Sequence, residues 1–433
     1  MAENTREIVL DALLEMERNK VYSHKLLKAV LDKYDYLSVQ DKRFMKRLAE
    51  GCIERKLELD YYLDHFSTVP VNKMKPLIRC LMRMGVYQIV YMDSVPASAA
   101  CNECVKLAAK RKFTNLKGFV NGVLRKIAAN IEDLPLPEEK DTEHYLSVKY
   151  SMPLWLVQMW LKDYSKETVV TFLEGMMRVH PVSIRFRTDL SVQEKEAYIN
   201  QWQESGANVK ALEDLPYMYT LEGVEGVAAL KGFSEGVFTV QDISSAMSVE
   251  AAGIGPQDVC MDICAAPGGK TLLAAEKAAK VISRDVSEYK AEFIRENCNR
   301  MQLTDKVEVQ VWDATVLDEA YIEKADVVLM DVPCSGLGVL GKKRDIKYNV
   351  TPESMESLMQ LQKQIVNSSW QYVKKGGTLL YSTCTIHKEE NEMMSKWICE
   401  NYPFVLEEEK QILPGFREAD GFYYARLRRI DGE

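Results

Sequence analysis

Two cysteines in the C-terminal half stand where a thiol can act as a nucleophile. Cys334 lies in the run DVPCSG (331–336), and Cys384 lies in the run STCT (382–385). Each run directly follows a short apolar segment with the length of a buried strand. A single cysteine is more often a small buried hydrophobe than a nucleophile. Two cysteines at neighbouring strand ends instead favour a site in which a thiolate attacks an electrophilic carbon.

Acidic side chains end the same set of apolar segments. They are Asp262, Asp285, Asp313 and Asp331, one for each of four successive predicted strands. Because the carboxyl ends of parallel strands share one edge of a sheet, we expect these acids on one rim of a ligand crevice. Such a rim fits a ligand that carries ribose hydroxyls, an amino group and a positive charge. S-adenosylmethionine has all three.

The run DICAAPGGK (262–270) is the predicted turn between the first of these strands and a helix. Its small residues and paired glycines let a ligand approach the backbone and the free N–H groups at the start of the helix. The run matches neither G-x-G-x-x-G nor the P-loop pattern, so a loop that grips phosphates is not indicated.

A methyl donor next to two thiols fits methylation at carbon 5 of cytosine. That carbon is a poor nucleophile while the ring is aromatic, and addition of a thiolate at carbon 6 converts the ring to a reactive enamine. Asp331 is placed to supply or share a proton at N3, which assists the addition. A base must later remove the proton from carbon 5. Since free cysteine is mostly protonated at neutral pH, the site must also lower the pKa of a thiol.

The elements that would position these residues are short strands alternating with helices over residues 236–433. The helices are predicted at Lys270–Ala279, Tyr289–Met301 and Glu353–Tyr372. This alternation predicts an α/β domain with a parallel sheet covered by helices. The predicted strands are Val259–Cys264, Lys280–Asp285, Val307–Trp312, Val327–Asp331 and Thr378–Ser382.

The chain of 433 residues is long enough for two or three domains. Apolar residues at helical spacing predict an all-α domain over residues 1–135, with helices that include Ile78–Met92, Ala97–Lys110 and Leu116–Ala129. The acidic, proline-containing stretch 132–139 is a predicted linker. Residues 141–235 combine helical patterns with the alternating run Val182–Arg187, which predicts a small α+β module.

Charge and cysteine content limit the possible partners. The net charge of −8 argues against nucleic acid, but residues 105–126 contain seven basic side chains and no acidic one. A solvated helix face would explain that run equally well. The lone pair Cys101 and Cys104 lacks the further ligands of a zinc site, so we expect buried helix positions and no metal. Since no apolar run has the length of a membrane span, we expect a cytoplasmic protein without membrane contact.

Taken together, AAPGGK (265–270), DVPCSG (331–336) and STCT (382–385) closely resemble the motifs of the RNA 5-methylcytosine methyltransferase family, also known as NOL/NOP/Sun. The runs QDISS (241–245) and DGFY (420–423) resemble further motifs of that family. In the N-terminal region, GVYQI (85–89), VPASAACNE (95–103) and FVNGVLR (119–125) look like the RNA-binding NusB fold. The resemblance covers essentially the whole chain.

This resemblance implies a NusB-like domain, a small α+β connecting module and a Rossmann-like class I methyltransferase domain (236–433), as in the Sun/Fmu-type enzymes of bacteria. It implies methylation of carbon 5 of a cytosine in 16S rRNA, the small-subunit ribosomal RNA, by a monomer that uses S-adenosylmethionine. The catalytic residues would be Cys384 as nucleophile, Cys334 in product release, and Asp331. The implied cofactor contacts are Cys264, Ala265, Ala266, Pro267, Gly268, Gly269, Lys270, Asp285, Asp313 and Asp331.

Three residues depart from the family pattern. Gly341 stands where arginine is usual, Arg344 where proline is usual, and Arg187 where asparagine is usual. We expect these departures to affect RNA contacts and the choice of target, and not the chemistry.

Three other functions remain open at this stage. The chain could be an RNA-binding assembly or antitermination factor with a vestigial catalytic domain, although the intact cysteines and acids speak against this. It could methylate cytosine in another RNA. It could also be a DNA cytosine methyltransferase, but those enzymes place the nucleophile in the Pro-Cys loop, where Cys334 stands.

Overall fold

The computed structural model describes residues 4–19, 23–224, 226–416 and 418–430. The chain forms two compact units, here called the helical unit (Met1–Met177 with Leu340–Asn349) and the sheet unit (Arg178–Val339 with Val350–Glu433). This division differs from the three predicted segments, because residues 141–235 are shared between the two units. Among the described residues, no helix is long and apolar enough to cross a membrane.

The helical unit is built around α5 (Pro76–Tyr91), which is buried on all sides between Cys80 and Ile89. A helix that is buried all round belongs at the centre of a bundle, and its two buried polar side chains, Arg83 and Gln88, are hydrogen-bonded. Cys101 and Cys104 are buried on α6, as the helical periodicity predicted. The helices of this unit are α1 (Thr5–Asn19), α2 (Ser23–Lys33), α3 (Val39–Glu54), α4 (Lys56–Phe66), α5, α6 (Ala97–Lys110), α7 (Lys117–Ala129), α8 (Thr142–Lys149), α9 (Leu154–Asp163), α10 (Lys166–Met177) and α15 (Ile346–Asn349).

The segment Leu340–Asn349 packs among these helices, although it lies between two parts of the sheet unit in sequence. Arg344 donates to Glu54 Oε1 (2.8 Å) and Glu50 Oε2 (2.7 Å) on α3. Asp345 accepts hydrogen bonds from the amide and hydroxyl of Ser23, both at 2.7 Å. Arg344 therefore has a structural role within its own chain, and the expectation that this departure affects RNA contacts stays a prediction.

The other two departures also make contacts within their own units. A Cβ on Gly341 would lie 3.1 Å from the carbonyl oxygen of Met176, so a side chain larger than glycine would crowd α10. Arg187 donates a hydrogen bond from Nε to Asp189 (3.0 Å). These contacts give both residues a local structural role.

The sheet unit begins with a small antiparallel sheet in the order β2-β3-β1-β4. Its strands are β1 (Val182–Phe186), β2 (Asn208–Leu212), β3 (Leu215–Glu222) and β4 (Phe238–Val240), and α11 (Val192–Glu204) packs against it. Trp202 of α11 stacks on Phe186 with 5.5 Å between ring centroids. The alternating run near residue 182 does form the predicted strand, and the helix-and-sheet character predicted for this stretch is present.

The larger sheet has seven strands in the order β10-β11-β9-β8-β5-β6-β7. Neighbouring strands are parallel from β9 to β7, whereas β11 is antiparallel to both β9 and β10. Helices cover it, as the alternating pattern predicted. The strands are β5 (Val259–Asp262), β6 (Lys280–Asp285), β7 (Val307–Val311), β8 (Ala325–Asp331), β9 (Val373–Thr383), β10 (Phe404–Ile412) and β11 (Phe422–Arg429), and the helices are α12 (Ile243–Ala251), α13 (Gly269–Lys277), α14 (Glu288–Arg300), α16 (Pro352–Ser369) and α17 (Glu392–Asn401).

This strand order places a crevice at the carboxyl ends of β5 and β8. From β5 the chain adds β6 and β7 on one side, and it then crosses over to add β8 and β9 on the other side. Ligands of doubly wound sheets bind where the direction of strand addition reverses. We therefore expect the functional site in the loops that follow β5, β6, β8 and β9.

Candidate active site

The loops after β8 and β9 bring the two predicted cysteines together. These strands pair in parallel, with Asp331 opposite Ser382, so the loops leave the sheet side by side. The sulfur atoms of Cys334 and Cys384 lie 3.3 Å apart, within hydrogen-bonding distance. Both residues are partly exposed at this edge. Two thiols separated by 50 residues in sequence thus lie in direct contact.

Backbone and side-chain hydrogen bonds hold the two cysteine loops in register. The Val332 amide donates to the carbonyl of Ser382 (3.1 Å), and the hydroxyls of Ser335 and Thr385 lie 2.7 Å apart. Since both hydroxyls are buried, their hydrogen bond is shielded from water. The distance between the sulfurs is therefore set by contacts on both sides of the pair.

Lys270 and Asp331 form an ion pair beside the cysteines. The ammonium of Lys270 lies 2.7 Å from Asp331 Oδ2, and the hydroxyl of Ser382 donates to Asp331 Oδ1 at 2.9 Å. Burial alone would lower the pKa of Lys270, but the Asp331 carboxylate outweighs it and the pKa is raised, with a further contribution from Cys384. Lys270 is therefore charged at neutral pH and exerts a positive field on the Cys384 sulfur.

The two thiols have different electrostatic surroundings. The pKa of Cys334 is raised well above its ordinary value by the hydrogen bond to Cys384, then by burial and by the charges of Cys384 and Glu390. Cys334 is therefore protonated at neutral pH while Cys384 is its hydrogen-bond partner. Burial likewise raises the pKa of Cys264, the third cysteine of this region, so that it is also a neutral thiol.

The predicted acids divide into three that line the crevice edge and one that does not. Asp285 ends β6, Asp313 follows β7 in an exposed turn, and Asp331 ends β8. The expectation for Asp262 is wrong. Its carboxylate points into the interior and accepts a hydrogen bond from the Thr271 hydroxyl (2.7 Å), because the pleat of β5 directs this side chain under α13.

The turn from β5 to α13 gives the crevice a floor of backbone. Gly268 has φ +103°, a conformation that favours glycine, and it is the N-cap of α13. The Ala266 amide donates to Asp285 Oδ2 (3.0 Å), which fixes the turn against the end of β6. A Cβ on Gly269 would lie in ordinary van der Waals contact with the Gln241 side chain, 3.9 Å from its Nε2.

These features fit S-adenosylmethionine. Asp285 also accepts from the Val286 amide (2.8 Å) and pairs with the Lys290 ammonium (3.0 Å), so about one of the four acceptor positions of its carboxylate remains for a ribose hydroxyl. The acids at the ends of β6, β7 and β8 suit a ligand with positive charge. Among the described residues, no group of three or more His, Cys, Asp or Glu side chains is arranged to hold a metal ion.

A buried polar network behind the cysteine loops is absent from the sequence predictions. Its centre is Glu390, which is fully buried and accepts hydrogen bonds from the Ser335 amide and the Gln362 side chain, both at 2.9 Å. His387 Nδ1 lies 3.2 Å from the other carboxylate oxygen. Glu390 belongs to the acidic run EENE (389–392), which resembles a solvated helix start. Only its distance of six residues from Cys384 could have drawn attention to it.

Two parts of the chain match known protein families. Residues 253–428 match the family model described as 16S rRNA methyltransferase RsmB/F, and residues 3–129 match the NusB family. The probable ribosomal RNA small subunit methyltransferase B of Bacillus subtilis (strain 168) is 33% identical over 454 residues, which cover 98% of this chain and 99% of that protein. The chain belongs to the RsmB methyltransferase family.

Membership of the RsmB family confirms the resemblance noted from the motifs, including the NusB-like helical region. Solved structures share the fold. The crystal structure of PH0851 has a TM-score of 0.79 at 24% identity and covers 99% of both chains. The structure of NSun6 from Pyrococcus horikoshii with SFG has a TM-score of 0.55 at 20% identity, covering 63% of this chain and 97% of that one.

Proposed function

We propose that this RsmB-family chain methylates carbon 5 of a cytosine in 16S rRNA, using S-adenosylmethionine and a transient bond from Cys384 to carbon 6. The observation that carries the proposal is the 3.3 Å separation of the Cys384 and Cys334 sulfurs, beside the Lys270–Asp331 ion pair. One thiol is needed to add at carbon 6 and remove the aromaticity of the ring. A second group is needed to take the proton from carbon 5 after methyl transfer. The site offers both at one position.

The cofactor would bind at the carboxyl ends of β5, β6 and β7, where it supplies an electrophilic methyl group. Asp285 would accept hydrogen bonds from the ribose, and Asp313 would lie at the outer edge of the same pocket. Residues Cys264 to Gly269 would form the backbone wall. Lys270 would end this wall and also contribute to the reacting centre, because its ammonium is paired with Asp331.

Cys384 begins the reaction as a thiolate, stabilised by the field of Lys270. Its sulfur forms a bond to carbon 6 of the cytosine, and the electron pair of the C5–C6 double bond moves toward the N3 side of the ring. A proton from solvent adds at N3, where the Asp331 carboxylate, oriented by Ser382, accepts a hydrogen bond from it, and it returns to solvent once carbon 5 is methylated. Carbon 5 then has the electron density to attack the methyl group.

Cys334 acts as the base that removes the proton from carbon 5 and so releases the methylated cytosine. Once the Cys384 sulfur is a neutral thioether, it no longer accepts a hydrogen bond from Cys334 or repels a charge there, so the two largest influences of Cys384 on the Cys334 pKa disappear. Cys334 can then lose its proton to solvent and take the proton from carbon 5. The electrons of that C–H bond restore the C5–C6 double bond, and the bond to Cys384 breaks.

Bisulfite sequencing of 16S rRNA tests the proposed activity. Cells that lack the gene should lose protection at one cytosine, and the wild-type gene should restore it. The Cys384→Ser variant should bind RNA and fail to restore the protection. An unchanged methylation map in the deleted strain would refute the ribosomal assignment, and full restoration by Cys384→Ser would refute the role of its thiol.

A further inference from the structure

The buried carboxylate of Glu390 is placed to act on one of the two thiols. It accepts the amide of Ser335, the residue directly after Cys334, at 2.9 Å. Gln362 donates both to Glu390 and to the carbonyl of Pro333, the residue directly before Cys334, again at 2.9 Å each. The backbone on both sides of Cys334 is therefore anchored to one network.

The network is shielded and closely packed, so its charge acts at short range. Glu390 and Gln362 are fully buried and His387 is 6% exposed. The Tyr381 hydroxyl donates to the backbone carbonyl of Glu390 at 2.7 Å, which fixes the residue against β9. A charge in such a low-dielectric region interacts with its neighbours far more strongly than one in water.

The charges around the two sulfurs are opposite in sign. Glu390 acts on Cys334 and raises the pKa of that thiol, whereas the ammonium of Lys270 is coupled to Cys384. The other titratable groups around these charges are Asp331, which is paired with Lys270, Tyr381, whose raised pKa keeps it neutral, and His387, whose Nδ1 lies 3.2 Å from the Glu390 carboxylate. A proton shared by two sulfurs 3.3 Å apart should therefore reside on Cys334, the thiol on which the Glu390 carboxylate acts.

We infer that Glu390 is a positioning residue that anchors the Cys334 loop and, through its negative charge, keeps the resting proton on Cys334 so that Cys384 holds the thiolate. The catalytic consequence of this inference rests on the proposed function. The charge asymmetry itself is a property of the free protein. The same carboxylate makes Cys334 a stronger base for the later removal of the proton from carbon 5.

The test measures thiol reactivity in the absence of RNA and cofactor. Alkylation by iodoacetamide follows the thiolate, and peptide mass spectrometry separates Cys334 from Cys384. In the wild-type chain at pH 7.5, we expect Cys384 to be labelled at least about ten times faster than Cys334, as a thiol pKa difference of one unit or more requires. Equal rates, or faster labelling of Cys334, would overturn the inference without any variant.

Variants then locate the cause of the difference. In a Cys384→Ser background, Glu390→Gln should move the pH profile of Cys334 alkylation down by about one unit, because a nearby like charge is removed. In a Cys334→Ser background, the same change should move the Cys384 profile by less than half as much. Glu390→Asp, which keeps the charge, should retain most of the wild-type profile of Cys334.

Gln362→Met is the matched control, since it removes the hydrogen bonds from Gln362 to Pro333 and to Glu390 and leaves the carboxylate itself in the chain. If it moves the Cys334 profile as far as Glu390→Gln does, the role of Glu390 is only structural and the inference fails. If Glu390→Gln moves the alkylation pH profiles of Cys334 and Cys384 equally, the inference is also contradicted. Failure of the methylation proposal would appear instead as an unchanged RNA methylation map, which these alkylation rates do not depend on.

Discussion

The amide of Gly338 donates a hydrogen bond of 3.1 Å to the carbonyl oxygen of Cys384, and the carbonyl of Gly338 accepts one of 2.9 Å from Gly421. The loop that contains Cys334 is thereby attached to the residue that carries the other thiol. A Cβ on Gly338 would lie 2.0 Å from the carbonyl oxygen of Gly421 and 2.9 Å from that of Cys384. This close approach of three backbone segments requires glycine.

Gly338→Ala should therefore separate the two loops and reduce kcat about a hundredfold, because a misplacement of about 1 Å at a reacting centre has an effect of that size. Its free energy of unfolding should fall by about 1–3 kcal/mol, as for other overpacked sites. Steady-state methylation kinetics and urea unfolding measure both. Gly122→Ala is the control, since no atom lies within 4 Å of the added Cβ. Wild-type kinetics in Gly338→Ala would show that the contact is dispensable.

Lys270→Met should raise the pH at which Cys384 becomes reactive. Loss of the ammonium removes the positive charge coupled to that sulfur and leaves Asp331 unpaired, so both changes disfavour the thiolate. We expect the alkylation profile of Cys384 to move up by about one pH unit and kcat to fall at least tenfold. Lys277→Met, on the same helix and paired with Glu250, should leave both unchanged. If the Cys384 alkylation profile of Lys270→Met is the same as that of the wild type, Lys270 does not activate this thiol.

Asp262 should make stability depend on pH near neutrality. Burial raises its pKa to about 7 in the folded chain, against an ordinary value near 4. The folded state therefore binds this proton more tightly than the unfolded state, so its contribution is fully favourable below about pH 4. That contribution is lost as the pH rises to 7.

Asp262→Asn removes this dependence while keeping an acceptor for the Thr271 hydroxyl. The difference in unfolding free energy between variant and wild type should move in favour of the variant by about 1–4 kcal/mol between pH 4 and pH 8. Urea unfolding at several pH values measures it. A difference that stays constant over this range would show that the carboxyl group is ionised throughout.

Arg344→Ala should destabilise the helical unit. The guanidinium bridges Glu50 and Glu54 of α3, and all three side chains are largely shielded from solvent. Partly buried, charge-assisted hydrogen bonds of this kind contribute about 1–2 kcal/mol. Lys343→Ala changes the neighbouring, exposed residue and should have little effect. Equal unfolding midpoints for the two variants would contradict the anchoring role of Arg344.

The alternating pattern predicted most of the sheet because local sequence determines it. Lys280–Asp285 forms a strand with the predicted bounds, and Ala97–Lys110 forms a helix with the predicted bounds. The motif cysteines were placed correctly because parallel strands share one edge for their carboxyl ends. The sequence did not predict strand β10, because its run of glutamates lacks the apolar pattern of a buried strand.

The contacts that the sequence did not predict involve side chains whose role depends on distant residues. Asp262 looks like the other strand-end acids in sequence, and only the position of α13 over β5 shows that its carboxylate is covered. Arg344 stands out in sequence only as a departure from the family pattern, and its partners Glu50 and Glu54 lie nearly 300 residues away in sequence. Glu390 acquires its partners Ser335 and Gln362 in the same manner. Such contacts are set by tertiary packing and leave no periodic signal.

Mass spectrometry of the protein–RNA adduct tests the central claim most directly. When Cys334→Ser is incubated with 16S rRNA and S-adenosylmethionine, the proton on carbon 5 should stay in place and the covalent complex should accumulate. We predict a methylated cytidine attached to Cys384, and no adduct in the Cys334→Ser, Cys384→Ser double variant. An adduct attached to another residue, or full methylation by Cys384→Ser, would contradict the account.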